Sequence, residues 1–256
     1  LATAYLDAIE STNGDKAMRN LVPMLVRYRA MVRAKVSAIA AGESELADSL
    51  RRKSADTARR YLRFAAVSAI EEDGPWWLIF CGLPASGKSS IAEALKEASG
   101  DVWPVFSSDR IRKELAGIAT TDPLPEQFYA SEFSRRTYDE LRSRAAEATG
   151  QSRVVILDAN FRGREERALA RTAAAAAGAR LAILKVEADE ETVAARLDRR
   201  GADPGAESDA DHAVSEKLKS AFEPPAPAEA DCLLYLEGET APAEAADEVL
   251  AAIPGN

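Results

Sequence analysis

The most specific chemistry in the chain lies in one short run. Gly82-Leu83-Pro84-Ala85-Ser86-Gly87-Lys88-Ser89 has the form Gly-x-x-x-x-Gly-Lys-[Ser/Thr]. Its glycines let the main chain turn so that several N–H groups point inward at a triphosphate. Lys88 can reach the β- and γ-phosphates, and Ser89 offers a hydroxyl to Mg²⁺. Ser89 and Ser90 lie in the first turn of the helix expected from residue 88, whose positive dipole end adds to the anion site. Such a site needs a further oxygen ligand at the end of a neighbouring strand. Asp158, which closes Val154-Val155-Ile156-Leu157, fits that place and would hold the metal directly or through water. Asp is also a common residue where a strand gives way to a turn.

A second pair is Asp109 and Arg112, three residues apart and therefore on one helix face. They follow the second apolar run, at the sheet edge where ligands gather in open α/β folds. Asp109 could accept a proton from an acceptor hydroxyl or orient it, and Arg112 could clamp the acceptor or a phosphate. A helix cap at Ser108 or Asp109 explains the same residues without chemistry.

The elements that must hold these groups divide the chain in two. Residues 1 to about 74 carry no strand signal. Leu21, Leu25, Tyr28, Val32 and Val36, then Leu46, Leu50, Tyr61, Leu62 and Ala65, recur at helical spacing. Helices are expected at about 2–10, 15–41 and 43–71. Glu72-Asp73-Gly74-Pro75 marks the boundary. From Trp76 onward short apolar runs alternate with helical segments. The runs are 77–81, 102–106, 154–157, 181–186 and 232–236; the helices are expected near 88–99, 108–116, 125–149, 163–177, 189–200, 211–222 and 241–252. The near-continuous apolar runs suit strands buried on both faces. The alternation predicts an α/β fold, a three-layer sandwich around a five-stranded parallel sheet, preceded by a helical segment.

Composition narrows the function. The chain has 256 residues, a net charge of −9, one histidine (His212) and two cysteines, Cys81 and Cys232. Multi-histidine metal sites, zinc knuckles and disulfide frameworks are thereby set aside. The acidic balance argues against wholesale coating of nucleic acid or anionic membrane. No apolar stretch approaches a membrane span, and a reducing, cytoplasmic location is the simplest expectation.

Residues 76–253 resemble the small P-loop kinases of the "predicted kinase" family, with the layout of zeta-toxin-like kinases and the kinase half of polynucleotide kinases. The resemblance rests on Gly82 to Ser89, on Ser107-Ser108-Asp109-Arg110-Ile111-Arg112 with its continuation to Gly117, on Leu157-Asp158-Ala159-Asn160-Phe161 with Arg167, and on Arg196-Leu197-Asp198-Arg199-Arg200. It implies an ATP- and Mg²⁺-dependent transfer of the γ-phosphate to a hydroxyl of a small molecule or of a polynucleotide 5′ end. It also implies that Arg196, Arg199 and Arg200 belong to a lid that closes over the phosphates. Asn160 and Arg167 would contact substrate or lid, or lie on the surface. Ala85 stands where the family more often has glycine. Family members are sometimes fused behind an aminoglycoside-phosphotransferase-like domain, and Tyr28 to Val36 resembles that domain's closing helices, without its catalytic motifs. An ATP-binding regulatory switch for such a domain is the alternative reading. A nucleic-acid module using Arg51, Arg52, Lys53, Arg59, Arg60 and Arg63 is a third.

Overall fold

The computed structural model of the chain describes residues 11, 17–120, 122–201 and 218–253. The expected helix at 2–10, the segment around His212 and most of the helix expected at 211–222 lie outside these residues. The chain divides into two compact units, Leu1–Glu72 and Asp73–Asn256.

The first unit holds α1 (Ala17–Gly42) and α2, which begins at Asp48 and runs on to Asp73. The helices form an antiparallel hairpin: Arg27 pairs with Glu72 at one end, and Arg51 Nε donates to the Ala41 carbonyl (3.2 Å) at the other. Small side chains, Ala30 and Ala34 on α1 and Ala58 and Ala65 on α2, are buried. The apolar residues that betrayed α1 in the sequence do not form its buried side. Leu21, Leu25, Tyr28 and Val36 are all exposed. Helical spacing thus identified the helix but not the face that packs.

The second unit is built on a parallel sheet of β1 (Trp76–Cys81), β2 (Val105–Ser107), β3 (Val154–Asp158), β4 (Arg180–Glu187) and β5 (Cys232–Glu237), in the order β2-β3-β1-β4-β5. β2 is shorter than the apolar run 102–106 predicted. Pro104 cannot donate to a ladder; its carbonyl still accepts the Ile156 N–H (2.9 Å), and Trp103 turns into the core. β5 is an edge strand whose Tyr235 is exposed, so burial on both faces holds for the central strands and not for this one.

Successive strand residues point to opposite faces. Trp77, Ile79 and Cys81 join Val155, Leu157, Leu181 and Ile183 in the core under α4 (Ser108–Ala116), α5 (Ser131–Thr149) and α6 (Arg164–Ala176). Trp76, Leu78 and Phe80 face the other way, toward α3 (Lys88–Ala98) and α8 (Pro242–Ala252), which pack on one another. Trp77 Nε1 donates to Thr149 Oγ1 (2.8 Å), tying the end of α5 to β1. Helix α7 (Glu190–Gly201) leaves the end of β4. The segment expected as one helix at 125–149 is broken: a 3-10 turn at Glu126–Tyr129 precedes α5, with Ala130 extended (φ −57°, ψ 151°) between them.

Candidate active site

The glycine-bearing loop leaves β1 and enters α3. Gly82 is needed for space: a Cβ there would lie 2.4 Å from the Val186 carbonyl oxygen on β4. Gly87 is needed for conformation, with φ +112° immediately before Lys88. Lys88 is buried and its Nζ donates to the Leu83 carbonyl (2.6 Å) and lies 3.4 Å from Ser86 Oγ, so the ammonium lies against the concave run of the loop. Ser89 and Ser90 are exposed at the start of α3. Ala85, the departure from the family pattern, is buried at φ +62°. An alanine in this left-handed region costs about 1–2 kcal/mol.

On one side the neighbour of β1 is β3, with no strand between them. The Gly82 N–H donates to the Asn160 carbonyl (3.1 Å), which brings Asp158 and Asn160 beside the start of the loop. Asp158 ends β3 in register with Ser107 of β2, so Asp109, two residues on, occupies the same sheet edge. Helix α4 is capped by Ser107, whose side chain accepts the Arg110 N–H at 3.5 Å; the cap is neither Ser108 nor Asp109. Asp109 is half-buried in the first turn.

Arg112 is buried beneath the 3-10 turn. One terminal nitrogen donates to the Phe128 carbonyl (3.0 Å) and to Ser134 Oγ (3.2 Å), its guanidinium lies over the Tyr129 ring, and its Nε has no partner. The guanidinium therefore ties α4 to the 3-10 turn and to the start of α5. Tyr138 of α5 accepts the Phe161 N–H (3.3 Å) and meets the Phe161 ring edge-on. Burial pushes its hydroxyl up to about 12, so it stays protonated. Phe161 has φ +38° and follows the Asp158–Asn160 turn directly. Strain of this kind gathers at functional sites and persists only where the surroundings over-determine it. Here Arg167 (2.9 Å) and Cys81 Sγ (3.4 Å) both donate to the Phe161 carbonyl.

Arg167 is neither on the surface nor free to reach a substrate. It is fully buried, and its Nε donates to Glu229 Oε2 at 2.6 Å. Burial pushes the Glu229 carboxyl up, but the hydrogen bonds from Arg167 and the Ala226 N–H outweigh this and hold it below the ordinary glutamate range.

On the far side of the loop, Arg196 of α7 donates to the Ala85 carbonyl (3.1 Å) and to the Gly238 carbonyl (2.6 Å). Arg199 is exposed on the same helix, and the Arg200 side chain lies outside the described residues. Gly238, at the end of β5, is the residue the sequence reading missed. A Cβ there would stand 2.0 Å from the Ser86 carbonyl oxygen, so the phosphate loop rests directly on its main chain. The available signal was a glycine closing an apolar run at the ligand-binding edge of the sheet.

The residues fit the group they would bind. Gly82 has no room for a side chain beside the Val186 carbonyl, and Ser89 and Asp158 each carry an oxygen donor of the kind Mg²⁺ prefers. Among the described residues there is no cluster of His, Cys, Asp and Glu that would suggest another metal, and no helix long and apolar enough to cross a membrane.

This is a kinase-like P-loop fold. Residues 78–225, more than half of the chain, match the AAA domain family, and the chain belongs to it. The uncharacterized protein Rv2004c of Mycobacterium tuberculosis is 29% identical over 224 residues, which are 85% of this chain and 42% of that protein. The chain therefore spans less than half the length of the curated relatives it matches. A candidate kinase of Chloroflexus aurantiacus superposes with a TM-score of 0.53 at 21% identity, covering 70% of this chain and 98% of that one. Kti12 of Chaetomium thermophilum, in complex with ADP-AlF3, superposes with a TM-score of 0.52 at 22% identity, covering 69% and 98%.

Proposed function

We propose that this chain binds ATP with Mg²⁺ and transfers the γ-phosphoryl group to a hydroxyl, on a small molecule or a polynucleotide 5′ end. The observation that carries the reading is the loop itself: a Gly82 packed too closely on the Val186 carbonyl for any side chain, a left-handed Gly87, and Lys88 drawn into the curve. The complex of Kti12 with ADP-AlF3 supports the nucleotide part of the reading.

The chain's own groups supply positioning and charge more than covalent chemistry. Main-chain N–H groups of the loop from Ala85 to Ser89 and the Lys88 ammonium bind the phosphates. Ser89 and Asp158 would hold Mg²⁺, which supplies charge neutralisation on the β- and γ-phosphates when bound. Asp109 orients the acceptor hydroxyl and takes its proton. Arg112 borders the acceptor, and an arginine of α7 faces the charge of the transferred group.

Radiolabelled ATP, offered with small metabolites, nucleotide sugars and 5′-hydroxyl oligonucleotides in turn, tests the reading. Labelled product from one class is expected, and none should form with Lys88→Ala. Turnover by Lys88→Ala at the wild-type rate would end this mechanism. Asp109→Asn is expected to bind ATP normally, by calorimetry, while acceptor phosphorylation drops by at least 100-fold. Equal loss of both would reduce Asp109 to a structural residue.

A second reading draws on the length of the relatives, of which this chain spans 42%. The P-loop unit would then serve as an ATP-dependent switch for an attached phosphotransferase-like domain, hydrolysing ATP slowly and phosphorylating no acceptor.

A further inference from the structure

Three segments distant in sequence meet on the outer side of the phosphate loop. The first is the loop itself, where buried Ala85 holds a conformation that an alanine resists. The second is the turn after β5, where Gly238 leaves no room for a side chain against Ser86. The third is α7, whose Arg196 donates to a main-chain carbonyl in each of the other two. The base from which Arg196 reaches is itself laced together. The Gly238 N–H donates to the Glu187 carbonyl (2.6 Å), Glu239 accepts the Asp189 N–H (2.7 Å), and Asp189 in turn accepts the Thr192 N–H (2.6 Å) at the start of α7. Gly87 lies in the same junction: a Cβ there would be 3.3 Å from the Gly238 carbonyl and 3.4 Å from an Arg196 terminal nitrogen.

We infer that Arg196 is a positioning residue of the phosphate loop, acting through the Ala85 carbonyl, and not the residue that touches the transferred phosphoryl group. This rests on the loop being a nucleotide site. Two N–H groups of the guanidinium are committed to main-chain oxygens, one holding the Ala85 carbonyl outward. Turning that carbonyl outward keeps the following N–H groups of the loop facing in. A glycine at residue 85 would adopt this conformation without strain. With alanine there, a charged hydrogen bond from outside the loop offsets the strain. The apparent affinity for nucleotide falls in proportion to the fraction of loops in the competent shape, so the brace acts on binding before it acts on rate.

The test is a cycle of Arg196→Gln and Ala85→Gly, read with and without nucleotide. In the nucleotide-free full chain, amide hydrogen exchange in peptides covering 83–90 should speed up in Arg196→Gln and slow again in the double variant. Calorimetry with Mg-ADP should show Arg196→Gln binding about tenfold more weakly than wild type. The same substitution made on the Ala85→Gly background should weaken binding no more than about threefold. Unchanged exchange in Arg196→Gln, an equal loss of affinity on both backgrounds, or normal ADP affinity with collapsed turnover would each overturn the inference. If wild-type protein takes up no nucleotide, the proposed function fails, while the exchange measurements still decide whether the brace exists.

Discussion

Lys88 shows how much of this site depends on single side chains. Its ammonium is buried against the Leu83 carbonyl, and under the proposed function this is the charge that meets the phosphates. Cys81, one residue before the loop, has the opposite character. Burial pushes its thiol up to about 11 from the ordinary 9.0, which leaves about 100-fold less thiolate at neutral pH. Native protein should therefore react with thiol-directed reagents at least that much more slowly than denatured protein, as thiol titration would show; a fast-reacting Cys81 would contradict the packing. Tyr138 is a third case. Tyr138→Phe keeps the edge-on contact with Phe161 but leaves the Phe161 N–H without its acceptor. A loss of about 1–3 kcal/mol in urea unfolding is expected. Because Phe161 adjoins the Asp158–Asn160 turn, a weaker response of nucleotide affinity to Mg²⁺ should accompany it.

Between elements, the decisive contacts are made by main chain. β5 reaches the phosphate loop through Gly238, and any side chain there must displace the Ser86 carbonyl. Gly238→Ala is expected to weaken Mg-ATP binding by at least tenfold, about 1.4 kcal/mol, in calorimetry. Near-normal affinity would mean that the loop does not depend on this contact. β3 reaches the same loop from its other side through the Asn160 carbonyl and the Gly82 N–H. The loop is thus held from both flanks before any ligand arrives, which lowers the ordering cost of binding.

For the molecule as a whole, the Arg167–Glu229 pair joins α6 to the segment that leads into β5. Arg167 is fully buried, and removing it would strand a carboxylate that is itself largely covered. Arg167→Met should lower stability by about 3–5 kcal/mol. The pH dependence has a definite sign. Glu229 has a folded pKa below its ordinary value, so its contribution is full above the ordinary glutamate range and is lost as pH falls through the folded value. Thermal melts between pH 7 and pH 3 should show wild type losing more stability than Glu229→Gln. Parallel losses would mean that the pair contributes little.

What the sequence determined by itself was the local part of this design. Glycine spacing, the Lys88-Ser89 pair, an aspartate closing an apolar run and the alternation of runs with helices are short-range patterns, and each has few structural solutions. The parallel five-stranded sheet and the loop between β1 and α3 followed from them. The tertiary structure alone decided what the long cationic side chains do. Arg112, Arg167 and Arg196 look alike in sequence, yet one braces a 3-10 turn, one is sealed in an ion pair, and one reaches back 111 residues to the phosphate loop. Guanidinium groups are flexible and long, so their partners depend on which elements fold against them, and no local pattern encodes that. The same reason hid Gly238, whose need for a bare Cα comes from a carbonyl far away in the chain.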